Sequence, residues 1–292
     1  MTKDAGLYQS SVSDIAFNST DYLPILIEKC RMNLNIQEFE KLEESIDELL
    51  SLDRSSIHGY IYKIFFSLVR EGDLDSAQEN CQKLFTLLGD KEPNNFTLMI
   101  FLSRLFSRIC GRSSQIINYC IRMLEKCRKV DPLKPAPIIE LGNCYFMIGD
   151  YTKAFKFYKD SASIDIDSLD PMIGTLKCQI AQNKIKEADS QLEFLLEFSS
   201  SMGGVTSQVA FLEGMLHARK HTEKGNFQQM EDMLQASNKA LGNALTLHIR
   251  SQKNLPQNLH FYIELNPDYL ISLANELMFH SDFNLSQIKD RI

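Results

Sequence analysis

PAPIIELGNCYFMIGDYTKAFKFYKDSASIDIDS, residues 135–168, is the stretch that decides the fold. Its apolar residues recur every three or four positions in two segments, as in two amphipathic helices that pack together. Gly149 and Asp150 separate the segments and predict a tight turn. Small residues, Gly142 and Ala154, stand where the two helices must approach each other closely. The stretch therefore predicts one helix-turn-helix unit.

The same unit recurs along the chain. Ala188 follows Ala154 by 34 residues, and Asn183, which tolerates a positive φ, follows Gly149 by the same distance. Upstream, Gly72 and Ala77 match the same two landmarks. This period is typical of tetratricopeptide repeats, so we predict an all-α protein, an α-solenoid of antiparallel helix pairs. The repeat signature comprises Leu141, Gly142, Tyr145, Gly149, Ala154, Tyr158, Asn183, Ala188, Gly72 and Ala77.

Turn residues and the strength of the repeat divide the chain into five segments. They are an N-terminal tail (1–20), degenerate helical repeats (21–134), two well-formed repeats (135–203), a divergent helix pair (204–242) and a C-terminal helical segment (243–292). Gly111 marks a turn in the degenerate part, and Gly225 and Asn226 mark one in the divergent pair, whose helices we expect over 207–241. A final helix is predicted for 267–280, with Pro267 in its first turn. We expect about five and a half helix pairs and no strand.

Composition excludes several classes of partner. The 31 basic and 38 acidic residues leave a net charge of -7, which would repel a phosphate backbone, so nucleic acid is not expected. No stretch has the roughly 18 consecutive apolar residues of a membrane-spanning helix. The seven cysteines form no C-x-x-C pair and fall mostly in predicted helices, which indicates free thiols in a reducing compartment.

Motifs of common enzymes are missing. The sequence has no phosphate-binding, dinucleotide-binding or G-x-S-x-G nucleophile motif. Glu213, His217 and His221 share a helical face at four-residue spacing and are the strongest metal candidate, but the zinc-protease pattern needs Glu where Ala218 stands. The spacings of Cys110, Cys120 and Cys127 lie outside the usual zinc pattern. We therefore expect no enzyme, no cofactor, no metal and no small-molecule substrate.

One charged face is a candidate for partner binding. Residues 104–134 hold eight basic and two acidic side chains, a local balance of +6. Arg104, Arg108 and Arg112 share a face at four-residue spacing, which either receives an acidic partner segment or is paired with acidic neighbours of the same chain. Asn143 suits the clamp by which co-chaperone repeats hold a C-terminal carboxylate, but Ile139 occupies the expected Lys position. That clamp is not predicted.

Three stretches resemble the tetratricopeptide repeat protein 21 family: LGNCYFMIGDYTKAFKFYKDSASID (141–165), LKCQIAQNKIKEADSQLEFLLEFSSSMG (176–203) and FYIELNPDYLISLANELM (261–278). The phrases KCQ, QLEFL and LNPDYL follow one another in the family's order. The resemblance implies a curved scaffold that belongs to intraflagellar transport complex A and supports retrograde transport and cilium assembly. It implies other protein subunits of that complex as partners, and a location in the cytoplasm, the cilium or flagellum, and the ciliary base.

Family members are several times longer, so we expect this chain to be a fragment or a short homologue. Two alternatives stay open beside the ciliary scaffold. One is a cytosolic tetratricopeptide-repeat adaptor for another complex. The other is a helical metal-binding protein or enzyme, which would depend on Glu213, His217 and His221.

Overall fold

The computed structural model describes residues 19–201, 203–223 and 227–280, and within these ranges the chain is helical and contains no strand. The all-α prediction is confirmed. The described residues form fourteen α-helices: α1 (Ser19–Asn35), α2 (Phe39–Leu52), α3 (Ile57–Phe66), α4 (Leu74–Lys91), α5 (Phe96–Ile109), α6 (Ser114–Val130), α7 (Pro135–Met147), α8 (Tyr151–Ile164), α9 (Leu169–Ala181), α10 (Ile185–Ser201), α11 (Ser207–Glu223), α12 (Phe227–Gln252), α13 (Leu259–Leu265) and α14 (Pro267–His280).

Helices α1 to α12 pack as six successive pairs, each joined by a short connection. From the third pair onward the first helices of neighbouring pairs also touch: α5 contacts α7, α7 contacts α9 and α9 contacts α11. We call the surface formed by α1, α3, α5, α7, α9 and α11 the inner face. Each pair thus buries its apolar residues against its neighbours, as expected of a solenoid.

The turns explain why the sequence landmarks recur. Gly72, Gly149 and Asn183 have φ values of 69°, 84° and 58°, a conformation that reverses the chain after the first helix of a pair. The residue after Gly149 then starts the next helix, because the Asp150 carboxylate accepts a hydrogen bond from the Lys153 backbone N–H at 3.0 Å. Asp73 caps α4 in the same way.

The best-formed repeat packs around Tyr158 of α8, which is 1% exposed. A Cβ atom at Gly142 of α7 would lie 2.6 Å from Tyr158 Cε1, and one at Gly174 of α9 would lie 2.4 Å from Tyr158 Cδ1. The ring therefore fits between two helices only because both positions are glycine. Leu141 and the alanines of the signature, Ala77, Ala154 and Ala188, are fully buried.

Two boundaries differ from the sequence-based prediction. Helix α12 continues through the boundary placed between residues 242 and 243 and ends at Gln252, because Ala244 and His248 extend its buried face. Helix α1 begins at Ser19, inside the segment predicted as a tail. The predicted turn at Gly225 and Asn226 lies outside the described residues, as do residues 1–18. The degenerate pair α5–α6 has a regular turn, in which Gly111 has φ 56°.

The C-terminal helices do not extend the stack. Helix α14 has the predicted range, but α13 packs against α5, and α14 contacts α5, α11 and α12. The Tyr262 ring of α13 meets the Phe65 ring of α3 edge-on, with centroids 4.7 Å apart. Since α5 and α11 are separated by two intervening pairs, one helix reaches both only from the inner side of a curved array. Helices α13 and α14 therefore lie on the inner face.

Candidate functional site

A buried carboxylate organises the inner face. Glu140 of α7 is 3% exposed, and its Oε1 accepts a hydrogen bond from Arg104 Nε at 2.8 Å. The Nη1 atom of Arg108 lies 3.4 Å from Glu140 Oε2. Both arginines belong to α5, so this ion-paired group ties one repeat to the next.

The Glu140 group continues into α8 through side-chain amides and hydroxyls. Asn143 Nδ2 donates to Glu140 Oε2 at 3.0 Å, and the Tyr158 hydroxyl donates to Asn143 Oδ1 at 2.8 Å. The Asn143 amide is thereby held in one orientation by partners at both its nitrogen and its oxygen. Three helices share this single polar chain.

The charges of the group reinforce one another. Burial by itself would raise the pKa of Glu140, but the guanidinium groups of Arg108 and Arg104 and the bond from Asn143 outweigh it and lower that pKa. Burial would in turn lower the pKa of Arg108, and Glu140 is the main charge that raises it. Glu140 is therefore ionised at neutral pH.

A second ion pair joins the array to α14. Arg112, in the turn between α5 and α6, donates from Nε to Asp268 Oδ1 at 2.6 Å and from Nη2 to Asp268 Oδ2 at 3.2 Å. The same Nη2 lies 3.3 Å from Ser272 Oγ. Two parallel bonds between a guanidinium and a carboxylate fix geometry as well as charge. Residues 156 positions apart are connected in this way.

Lys177 of α9 is a further charged residue of the inner face. Burial and the positive charge of Arg108 lower its pKa to about 8, against the opposing influence of Asp170 and Asp268. Its Nζ donates to Gln208 Oε1 at 3.3 Å. Sequence reasoning missed Lys177, although it follows Asn143 by one 34-residue period and so occupies the equivalent inner-face position. The inner-face cluster comprises Arg104, Arg108, Arg112, Glu140, Asn143, Asp170, Lys177 and Asp268.

The structure thus places every candidate partner-binding residue in this cluster. Arg104 and Arg108 meet at Glu140, whereas Arg112 turns to Asp268. Each of the three guanidinium groups has a carboxylate partner within the chain. The cluster therefore holds four cationic side chains and three carboxylates along the inner face.

The metal candidate is only partly described. Glu213 Oε1 and His217 Nε2 lie 3.9 Å apart, and the side chain of His221 is outside the described part of the chain. Within that part, no three His, Cys, Asp or Glu side chains are grouped to hold a metal ion. Glu213 and His217 line a groove of about 890 Å³ between α11 and α12, together with Lys239 and Arg250.

The cysteines lie in the core. All seven are free and buried, and burial raises the pKa of the Cys110 thiol to about 11 and that of Cys81 to about 12. Such thiols stay protonated and pack as small apolar side chains. Among the described helices, none combines the length and the apolar character needed to span a membrane.

Comparison with known proteins gives a family match. The family model of the tetratricopeptide repeat protein 21 second ARM domain matches residues 79–287, well over half of the chain. Human tetratricopeptide repeat protein 21B is 27% identical over 268 residues, which cover 92% of this chain and 20% of the human protein. Mouse tetratricopeptide repeat protein 21A is 26% identical over 266 residues, covering 91% of this chain and 19% of that protein.

The chain spans about one fifth of the length of these curated relatives. Among solved structures, the type IV pilus biogenesis factor PilW aligns with a TM-score of 0.51 and 14% identity, over 73% of this chain and 90% of PilW. At that identity the likeness concerns the fold alone, and it agrees with a stack of helix pairs.

Proposed function

The chain belongs to the tetratricopeptide repeat protein 21 family, and from this premise we propose that it is a protein-binding scaffold of intraflagellar transport complex A. In this role it supports retrograde transport and cilium assembly, and it works in the cytoplasm, at the ciliary base and in the cilium or flagellum. The observation that carries the proposal is the family match over residues 79–287.

The architecture supports a scaffold. Helix pairs that bury their apolar residues against neighbouring pairs leave extended faces free for other proteins. We propose that partners of the complex contact the inner face, where Arg104, Arg108, Arg112 and Asn143 stand. The charged side chains along such a face favour partners of complementary charge and disfavour others.

Affinity purification tests the proposal. The tagged chain is expressed in ciliated cells and recovered, and the proteins that accompany it are identified by mass spectrometry. We expect complex A subunits to be enriched over a control in which the bait is an unrelated tetratricopeptide array carrying the same tag. The control separates specific assembly from general adhesion to helical repeats. Recovery of no complex A subunit, or equal recovery with both baits, would reject the assignment for this chain.

A further inference from the structure

Helices α13 and α14 occupy the inner face as a ligand would. Tyr262 and Ile263 of α13 are each 8% exposed and join the apolar core formed by helices α1 to α7. Helix α13 has only seven residues, and Asn266, at φ 44°, ends it immediately before Pro267. A seven-residue helix followed by a break does not match the 34-residue helix-turn-helix unit of the repeats.

The segment is held by two separate parts of the array. Toward the N-terminal pairs, Asp268 receives the two bonds from Arg112. Toward the C-terminal pairs, the Tyr269 hydroxyl of α14 donates to the Ser207 carbonyl oxygen at 3.0 Å. His248 of α12 contributes a bond of 3.1 Å between its Nε2 and the Leu265 carbonyl oxygen. Residues 255–280 thereby connect the third pair with the sixth.

Charge indicates what else would fit there. The inner-face cluster contains four cations, Arg104, Arg108, Arg112 and Lys177, against the carboxylates of Glu140, Asp170 and Asp268. Asp268 belongs to the covering segment, so its departure would leave four cations facing two carboxylates. This surface would be cationic in a chain whose net charge is -7, and an acidic side chain would be its complement.

We propose that residues 255–280 are an intramolecular ligand that covers a docking surface on the inner face. The partner that competes for this surface is a protein segment with a short amphipathic helix and an acidic residue followed by an aromatic one, as in Asp268-Tyr269. Among the contacts of the covering segment, the Arg112–Asp268 ion pair is open to competition, because the two side chains are 47% and 21% exposed and water weakens an ion pair at that exposure. The inference rests on the proposed scaffold function only in taking a protein as the competing ligand.

The test uses the full chain and a fluorescent peptide of residues 255–280 added in trans. Fluorescence polarisation measures its binding to the wild type, to the double variant Asp268→Asn with Tyr269→Phe, and to Asp160→Asn, which makes a charge change at an exposed site on α8. Weakening the covering segment raises the fraction of chains with an open surface, so we expect about tenfold tighter apparent binding by the double variant than by the other two. A peptide carrying the same two substitutions should bind the double variant about tenfold more weakly.

Hydrogen exchange gives a second readout. In Arg112→Gln, exchange over 259–280 should rise while 135–201 stays protected. Loss of protection throughout the chain would mean that the segment is integral to the fold, and it would overturn the proposal. Equal peptide binding by the wild type and the double variant would do the same. So would a double variant that forms a dimer by exchanging this segment, because the occupant would then be a second copy. None of these outcomes bears on the recovery of complex A subunits, so the two proposals fail separately.

Discussion

At the scale of single residues, Arg104 is a charged side chain at a position that repeats of this kind normally fill with an apolar one. Its position fits the repeat poorly when pair α5–α6 is considered alone. The structure supplies the reason in the next pair, where Glu140 accepts its Nε at 2.8 Å. The arginine spacing is visible in the sequence, but the partner carboxylate is not, because nothing local links residues 36 positions apart.

Glu140→Gln should be strongly destabilising. The substitution keeps the shape of the side chain but leaves Arg104 and Arg108 without their carboxylate, and breaking a buried ion pair costs about 3–5 kcal/mol. Urea unfolding followed by circular dichroism measures the effect. Glu79→Gln is the matched control, because Glu79 pairs with Lys83 on an exposed surface and its loss should cost only about 0.3–0.5 kcal/mol. Similar costs at both sites would contradict the proposed importance of the buried group.

The lowered pKa of Glu140 predicts that the stability of the protein depends on pH. The pKa of Glu140 is lower in the folded protein than the value of about 4.3 in an unfolded chain. Its contribution to stability is therefore fully present above that unfolded value and is lost as the pH falls through the folded pKa. We expect the difference in unfolding free energy between wild type and Glu140→Gln to be constant near neutral pH and to shrink below about pH 4.3. A difference that does not change with pH would exclude ionised Glu140 as its source.

Gly142→Ala tests the close approach around Tyr158. The new Cβ would lie 2.6 Å from the ring, so the helices must move apart, at a cost of about 1–3 kcal/mol. Gly89→Ala is the control, since a Cβ added at Gly89 of α4 would meet no atom within 4 Å and the variant should gain about 0.5–1 kcal/mol from helix propensity. Thermal unfolding of the two variants should shift in opposite directions. A shift in the same direction for both would argue against the tight contact.

At the scale of helices, the turns and contact points that recur with the repeat are predictable from the sequence, whereas the end of a helix is not. Gly149 and Ala154 define the turn and the contact point of one pair, and the period carries them to Asn183 and Ala188. The helix pair expected over 207–241 extends further than predicted, because burial of Ala244 and His248 keeps α12 intact to Gln252. A helix boundary expected from local sequence is not observed where tertiary packing continues past it.

Ala154→Leu and Ala188→Leu test the register of the helix pairs. Both alanines are fully buried, so the larger side chain should overfill the contact between helices and cost about 1–3 kcal/mol. Ala274→Leu, on the exposed side of α14, should change stability by less than about 0.5 kcal/mol. Thermal unfolding of all three variants gives the comparison. Unchanged stability of the two buried variants would show that the register is wrong.

At the scale of the whole molecule, the sequence predicts a stack, and the structure adds a segment that closes it. The stretch 261–278 carries a resemblance to the family that goes beyond the repeat pattern. The repeat period, however, does not indicate which distant helix pairs this stretch contacts. Contacts such as Arg112 with Asp268 join residues 156 positions apart. They depend on the curvature of the array, which is the sum of small rotations between pairs and leaves no local signal. The family's distinctive stretch is thus the part that bridges separate repeats.

Tyr262→Ala should release α13 from the inner face without unfolding the helix pairs. The Tyr262 ring packs edge-on against Phe65, and removing a buried aromatic side chain costs about 3–5 kcal/mol, here taken mainly from the docking of α13. Because neighbouring pairs stabilise one another independently of α13, hydrogen exchange should rise over 259–280 and remain slow over 135–201. Small-angle X-ray scattering should show a larger radius of gyration. Phe194→Ala, which removes a half-exposed ring stacked on Phe198, should leave both measurements unchanged; an equal response to the two variants would mean that α13 does not hold the array closed.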